Sequence, residues 1–210
     1  MCVGILGNKI GMTQIFDISG KVIPVTIIRV GPCFITQVKK VETEGYNSIQ
    51  LGYSELKANA RRSTKPFRGH FEKGGTTPLR HLREYRVENP TEYTLGQRVQ
   101  ADMFAKGKTV DITGFTIGKG FTGNTKRNKF ARGPMTHGSK NHRAPGSIGA
   151  GTDPSRVFPG KRMAGQLGNV QQTIKNLEII DINGPENLLV IKGSVPGKSG
   201  NLLSIKYSKT

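Results

Sequence analysis

The sequence predicts a mainly β protein, a small barrel or sandwich interrupted by a long, irregular, basic internal extension. Three observations lead there. Through the first fifty residues, runs rich in Val, Ile, Thr and Phe recur at intervals of about ten, broken by Gly, Pro and Asn. Strand-like runs resume near the C-terminus. Between them, residues 117–168 are punctuated by Gly and Pro and hold no apolar period of two or 3.6 beyond a few positions.

Taken in order, Val3–Leu6 and Ile10–Phe16 flank Gly7-Asn8-Lys9, and Asp17-Ile18-Ser19-Gly20 reads as a turn. Val22–Val30 is rich in β-branched residues, with Pro24 marking an edge or a bulge. Gly31-Pro32 turns the chain. Phe34–Val41 and Tyr46–Tyr53 follow, separated by a turn at Glu42–Gly45. Residues 55–80 form a basic excursion with a short helix expected at Leu56–Arg62. Pro66 bars a long helix there and Gly74-Gly75 stops any second one. Its Lys57, Arg61, Arg62, Lys65, Arg68 and Lys73 read equally well as a contact patch and as a solvated face. Strands are expected again at Leu82–Val87, Arg98–Phe104 and Thr109–Ile117. Beyond the basic segment, Val170–Ile182 and Leu188–Lys192 form a hairpin across Asn183–Asn187, and Leu202–Tyr207 closes the series. The expected organisation is a β body, 1–116 with 169–210, and an extension, 117–168.

Charge narrows the function. The chain of 210 residues carries Lys+Arg 32 against Asp+Glu 14, a net of +18. Half of that excess lies in 117–168, which holds ten basic residues and one acid, Asp153, for a net of +9. Such a charge opposes compaction and favours a large anionic partner. Of RNA, DNA and an anionic membrane, membrane fits worst. No apolar run approaches the roughly 18 residues needed to span a bilayer, and no long basic amphipathic helix carries aromatic anchors. Cys2 and Cys33 offer neither a disulfide framework nor a zinc site, and reduced thiols are expected. With no signal or transit pattern at its start, the chain is expected to be made in the compartment where it works.

Two nucleotide-like motifs and one histidine pair need weighing. Gly118-Lys119-Gly120-Phe121-Thr122-Gly123 matches G-x-G-x-x-G, but neither a helical period nor an acid about twenty residues on follows it. Its glycines more simply let backbone approach a partner closely. Gly193–Ser199 is one residue short of a P-loop and reads as a turn. His137 and His142 lie five apart and could serve as acid and base in an RNA-modifying or RNA-cleaving enzyme, with Asp153 orienting one of them. Set among Lys and Arg, they equally suit stacking or donation to phosphates and base edges. No catalytic residue is assigned, and the lack of a soft or carboxylate ligand cluster points to no metal and no cofactor.

What remains is binding. Lys119, Lys126, Arg127, Lys129, Arg132, His137, Lys140, His142, Arg143, Arg156, Lys161 and Arg162 are the candidate RNA-contacting residues. Arginines fork onto phosphates or stack on bases; lysines act as point charges. Asn124, Asn128, Asn141 and Ser139 add short polar groups, and Phe121, Phe130 and Phe158 offer stacking faces. Pro134, Pro145, Pro154 and Pro159 stiffen the segment and lower the entropy lost on ordering. With neither a recognition helix nor a zinc module, the segment suits the interior of a folded RNA better than a DNA groove. A DNA-compacting architectural role is the competing reading within binding.

The same residues resemble the signature of the large-subunit ribosomal protein L-three family, of bacterial or plastid type. The likeness is carried by GFTIGKGFTGNTKRNKF, THGSKNHRAPGSIG and PGKRMAGQLGN within Gly114–Asn169, by GNKIGMTQIF near the start and by NLLVIKGSVPGKSGNLL near the end. The resemblance implies a translation-factor-like β-barrel body on the large ribosomal subunit and an extension reaching through rRNA toward the peptidyl transferase centre. It also implies a role early in subunit assembly, and neighbours that include the L-fourteen and L-nineteen families, with no small-molecule substrate. By position, Pro145, Gly146, Ser147, Ile148, Gly149, Ala150, Gly151, Thr152 and Asp153 would form the extension tip. The implied setting is a bacterial cytoplasm or, for an organelle-encoded chain, a plastid stroma. Many bacterial members carry a methylated glutamine just after GSIG. This chain has Ala150-Gly151-Thr152, so the modification is not expected.

Overall fold

The computed structural model describes residues 4–56 and 64–208. Its strands are β1 (Ile5–Phe16), β2 (Val22–Val30), β3 (Cys33–Lys39), β4 (Ser48–Glu55), β5 (Leu79–Arg86), β6 (Arg98–Val99), β7 (Thr109–Phe115), β8 (Phe121–Thr122), β9 (Gly165–Gln166), β10 (Gln171–Asn183), β11 (Leu188–Lys192) and β12 (Leu202–Tyr207). Three short helices join them: α1 (Val41–Glu44), α2 (Lys65–Lys73) and α3 (Asn124–Arg127). The chain is mainly β, as its composition of β-branched runs and turn residues predicts. It falls into two units, one of residues up to Phe115 together with those from Gln171, the other Thr116–Val170.

In the first unit, six antiparallel strands close a barrel in the order β1-β12-β7-β10-β11-β2. Closure removes the free edges that an open sheet would present. Inward side chains from every strand fill it: Ile5, Ile28, Val110, Ile112, Ile179, Leu189, Ile191, Leu203 and Ile205 are buried. A four-stranded sheet, β5-β4-β3-β6, adds Ile35, Ile49, Leu51, Tyr53 and Tyr85 to the same continuous core. Burying each such aliphatic side chain stabilises by about 1.5–3 kcal/mol relative to exposure.

Several elements differ from expectation, each for a local reason. Gly7-Asn8-Lys9 is not a break. Gly7 pairs with Leu203 on one side and Val30 on the other, so a ladder on both flanks overrides the turn-like composition, and the irregularity shrinks to a bulge between Lys9 and Gly11. Arg98–Phe104 is not a strand beyond Val99. A 3₁₀ turn at Ala101–Met103 brings the buried Ala101 and Phe104, three apart, to one side, whereas a strand would send them to opposite faces. Glu42–Gly45 is part of a single helical turn, closed by Gly45 in the left-handed region. Pro66 lies in the first turn of α2, which has no use for that N–H, and Gly74 caps the helix after nine residues. The α2 helix buries Phe71, with Phe67 edge-on at 4.9 Å, and His70 Nε2 shares a hydrogen bond with Gln50 Oε1 at 2.7 Å. The helix expected at Leu56–Arg62, apart from Leu56, lies outside the described residues, as do Lys57, Arg61 and Arg62 of the basic excursion. Cys33 is a free buried thiol whose pKa burial pushes up to about 12. Cys2 lies outside the described residues.

Candidate nucleic-acid interface

The unit Thr116–Val170 is built from two limbs that run antiparallel and hydrogen-bond to each other. Thr116 N–H donates to Val170 O at 3.0 Å, Lys119 N–H to Leu167 O at 2.8 Å and Leu167 N–H to Gly120 O at 3.0 Å. Phe121 pairs with Gln166 and Thr122 with Gly165 across the two-stranded β8–β9 sheet. Of the G-x-G-x-x-G glycines, Gly118 lies against the opposite limb, where a Cβ would sit 3.3 Å from Asn169 Cβ, and Gly120 takes a φ of +65°. Gly123 O accepts from Arg127 N–H at 2.9 Å, and the helix α3 that follows is one turn long. Gly168 shows why the limb needs glycine. Its φ is +73°, and a Cβ there would lie 2.0 Å from Ile117 O.

Side chains complete this neck. Asn124 is buried, and its Nδ2 donates to Arg162 O at 3.4 Å. Asn128 Nδ2 donates to Asn124 Oδ1 at 2.9 Å and to Met163 O at 3.1 Å. Arg127 Nη1 donates to Met163 O at 2.6 Å, with its guanidinium packed over Gly165. Asn124 and Asn128, which the sequence offers as outward polar contacts, are thus committed to joining the limbs. Buried amides need partners, and facing carbonyls supply them.

Beyond the neck the bonding becomes local. Gly133 N–H donates to His142 O at 3.2 Å, and His142 Nδ1 lies 3.1 Å from Pro134 O. That pinch leaves no room for a side chain at Gly133, where a Cβ would meet Asn141 O at 1.9 Å. From Arg143 to Phe158, the hydrogen bonds among the described residues span three positions or fewer, as between Ser147 Oγ and Gly149 O or Lys161 N–H and Phe158 O. Every residue from Pro145 to Asp153 is exposed.

Lys119, Lys126, Arg127, Lys129, Arg132, Lys140, Arg143, Arg156, Lys161 and Arg162 are all exposed, and so are His137 and His142. Among the described residues none of these ten cations is in an ion pair. Ion pairs form in the other unit, among them Lys39–Glu84, Lys106–Asp181 and Lys192–Glu178. Arg156 lies over the Phe158 ring at 5.7 Å, leaving a cation and an aromatic face together at the surface. Phe121 and Phe158 are exposed. Exposed unpaired cations beside open aromatic rings are suited to phosphates and unstacked bases.

The other unit holds two features relevant to function. The P-loop-like Gly193–Ser199 turns its carbonyls inward. Lys9 Nζ donates to Val195 O at 3.2 Å and to Gly197 O at 3.1 Å, and Thr26 Oγ1 donates to Gly193 O at 2.6 Å. A phosphate cradle needs converging N–H groups, and this loop presents the reverse. A cleft of about 230 Å³ has Arg83, Gln171, Asn201 and Lys206 beside Leu6 and Phe115 in its lining, a grouping that no local signal in the sequence marks. Among the described residues there is no cluster of three or more His, Cys, Asp or Glu able to hold a metal ion.

Comparison with known proteins places the chain. Residues 84–189 match the family model described as "Ribosomal protein L3". The chain is 62% identical over 205 residues to "Large ribosomal subunit protein uL3c" of Phaeodactylum tricornutum, covering 98% of each. It is 57% identical over 209 residues to "Large ribosomal subunit protein uL3" of Trichormus variabilis, covering 100% of this chain and 98% of that one. Against the protein of the same name in Gloeothece citriformis it is 59% identical over 211 residues, covering 100% and 99%. A closed barrel, a separate basic unit with free cations and near-complete alignment agree with one another: the chain belongs to the ribosomal protein L3 family.

Proposed function

We propose that the chain is a structural constituent of the large ribosomal subunit that binds large-subunit rRNA through Thr116–Val170. It is not an enzyme. It works in the ribosome of a plastid or of a bacterial cytoplasm, the settings of its plastid and cyanobacterial relatives. The observation that carries the binding role is the set of ten exposed cations without ion pairs, in a unit where Asp153 is the only acid. Each phosphate contact releases condensed counterions, so such a set gives strong, salt-dependent affinity without base recognition.

Within the unit the parts divide the work. The neck holds the limbs in register, with one Arg127 donor on Met163 O. Lys129, Arg132, Lys140, Arg143, Arg156, Lys161 and Arg162 neutralise phosphates, His137 and His142 donate to phosphate or base edges, and Lys119 and Lys126 do so along the neck. Pro145–Asp153 is the tip that reaches toward the peptidyl transferase centre. Its exposure and local bonding support that reading, since a tip enclosed by RNA takes its contacts from the host. Binding of this kind supports early subunit assembly. Family membership supports protein neighbours in the L-fourteen and L-nineteen families.

Co-sedimentation tests the proposal. The chain should remain with large subunits through a high-salt wash and bind large-subunit rRNA more tightly than duplex DNA at matched salt. Equal affinity for both would favour a DNA-compacting role, and RNA turnover lost on replacing both His137 and His142 would revive an enzymatic one.

A further inference from the structure

The β1–β2 hairpin continues past the barrel. β12 pairs with β1 only over Ile5–Asn8, and β11 pairs with β2 only over Val25–Arg29. From Gly11 to Phe16 and at Val22 and Ile23, among the described residues, the two strands pair only with each other; at Pro24 the carbonyl accepts from Gly193 N–H at 2.8 Å. A two-stranded ribbon is marginal in water by itself and leaves both outer edges unpaired.

Its side chains are apolar where solvent should favour polar ones. The pairing Phe16↔Val22, Gln14↔Pro24 and Met12↔Thr26 sets Met12, Phe16, Val22 and Pro24 on one face, where Gln14 is the one exposed polar side chain and Thr26 is buried. Phe16 is 67% exposed and Ile18, in the connecting turn, is fully exposed. Contiguous exposed apolar surface of this kind marks an interaction site.

Charge selects the occupant. Ile10–Pro24 holds one cation, Lys21, and one anion, Asp17, for a net of zero in a chain of +18. Asp17 is committed to its own turn, with Oδ1 accepting from Ile18 N–H at 2.8 Å. A ribbon with one lysine offers rRNA almost no phosphate ligands, whereas its apolar face and open edge match a protein surface of the same character. Pro24 removes a donor from the β2 edge, so the edge open to strand addition is that of β1.

We propose that Ile10–Pro24 docks a neighbouring protein of the large subunit, one that offers an apolar face and adds a strand along Gly11–Phe16. This rests on the ribosomal reading above. The test places a photo-reactive amino acid at Phe16 or Ile18 in a chain that replaces the resident family member of a cyanobacterium, with a second probe at Phe158 as a control. Purified large subunits are irradiated after a high-salt wash, and the products are identified by mass spectrometry. The hairpin probes should join to one large-subunit protein through an apolar segment, and the Phe158 probe should join to RNA. In addition, Phe16→Ser with Ile18→Ser should lower that neighbour's occupancy about tenfold, as loss of central apolar anchors does, while rRNA affinity and its salt slope stay unchanged. Hairpin products that are RNA, no hairpin product, or unchanged occupancy in the double variant overturns the inference. Absence of the chain from particles at every probe position sinks the ribosomal reading and this inference with it.

Discussion

Arg127 Nη1 donates to the carbonyl of Met163 at 2.6 Å, tying together limbs 36 positions apart in sequence. With Asn124 and Asn128 on the same stretch, it makes a neck out of a segment that has almost no apolar core. Only Thr122 and Asn124 are buried within Thr116–Val170. Polar cross-links here do what packing does in the barrel. Replacing Arg127 by Ala should therefore speed exchange of the Lys119 and Leu167 amides by about fivefold, the effect of one modest hydrogen bond at the surface, and leave melting of the β body unchanged. Hydrogen-exchange mass spectrometry reads both. A lowered melting temperature with unchanged neck exchange would contradict this role.

Neutralising charge beyond the neck should act differently. Lys140→Gln, Arg143→Gln, Arg156→Gln and Lys161→Gln together should lower affinity for large-subunit rRNA and reduce the slope of log K against log salt by about 3, at roughly 0.7–0.9 per phosphate lost. Filter binding across a salt series measures it. A slope equal to that of the unmodified chain would mean that these side chains do not reach phosphate.

Lys9 makes a stability prediction within the barrel unit. Its buried side chain donates to Val195 O and Gly197 O. Lys9→Met keeps the stem but leaves both carbonyls without that donor, at a cost of about 2 kcal/mol. The melting temperature should fall by roughly 4–8 °C, checked by calorimetry. A neutral outcome would show that water replaces the amine at no cost.

A pH dependence follows from Lys39 and Glu84. Lys39 Nζ donates to Glu84 Oε1 at 2.6 Å and to Tyr46 Oη at 3.1 Å, and Tyr46 Oη donates to Glu84 Oε2 at 2.9 Å. The hydrogen bond from Lys39 lowers the Glu84 pKa, and the same bond raises that of Lys39. The contribution of Glu84 is fully present above the ordinary carboxylate value of about 4.3 and fades as pH falls through its lower folded value. That of Lys39 is present below the ordinary lysine value of about 10.4 and fades as pH rises through its higher folded value. Glu84→Gln should flatten the acid limb of a plot of stability against pH. Denaturant midpoints between pH 3 and 6 would show it, and an unchanged limb would assign the dependence elsewhere.

Most of the β body was legible because its strands are buried on one side and rich in β-branched residues. β2, β4, β7, β10, β11 and β12 all fall within two residues of the strands expected from composition. The failures share a cause. Gly7 and the stretch from Gln100 to Phe104 depart from local preference, and each is decided by a partner distant in sequence or by its place in a helical turn. At the site, charge counting could find cations but not their bonding. Nothing in a run of Asn and Arg says that Asn124, Arg127 and Asn128 face the opposite limb while Lys140 and Arg143 face solvent. The Gly118-Lys119-Gly120 run before α3 was the available clue, because Gly120 takes a positive φ and Gly118 lies against Asn169 of the opposite limb. The apolar β1–β2 ribbon was equally hidden, since a strand pattern does not reveal where its neighbours stop.

The central claim is that Thr116–Val170 has a neck ordered by its own bonds and a distal loop ordered by rRNA. Hydrogen exchange of the full chain, free and within assembled large subunits, tests it most directly. The account predicts slow exchange at Lys119 and Leu167 in both states, and amides from Arg143 to Phe158 that are fast in the free chain and slow in the subunit. Amides from Arg143 to Phe158 that exchange at the same rate in both states would contradict it.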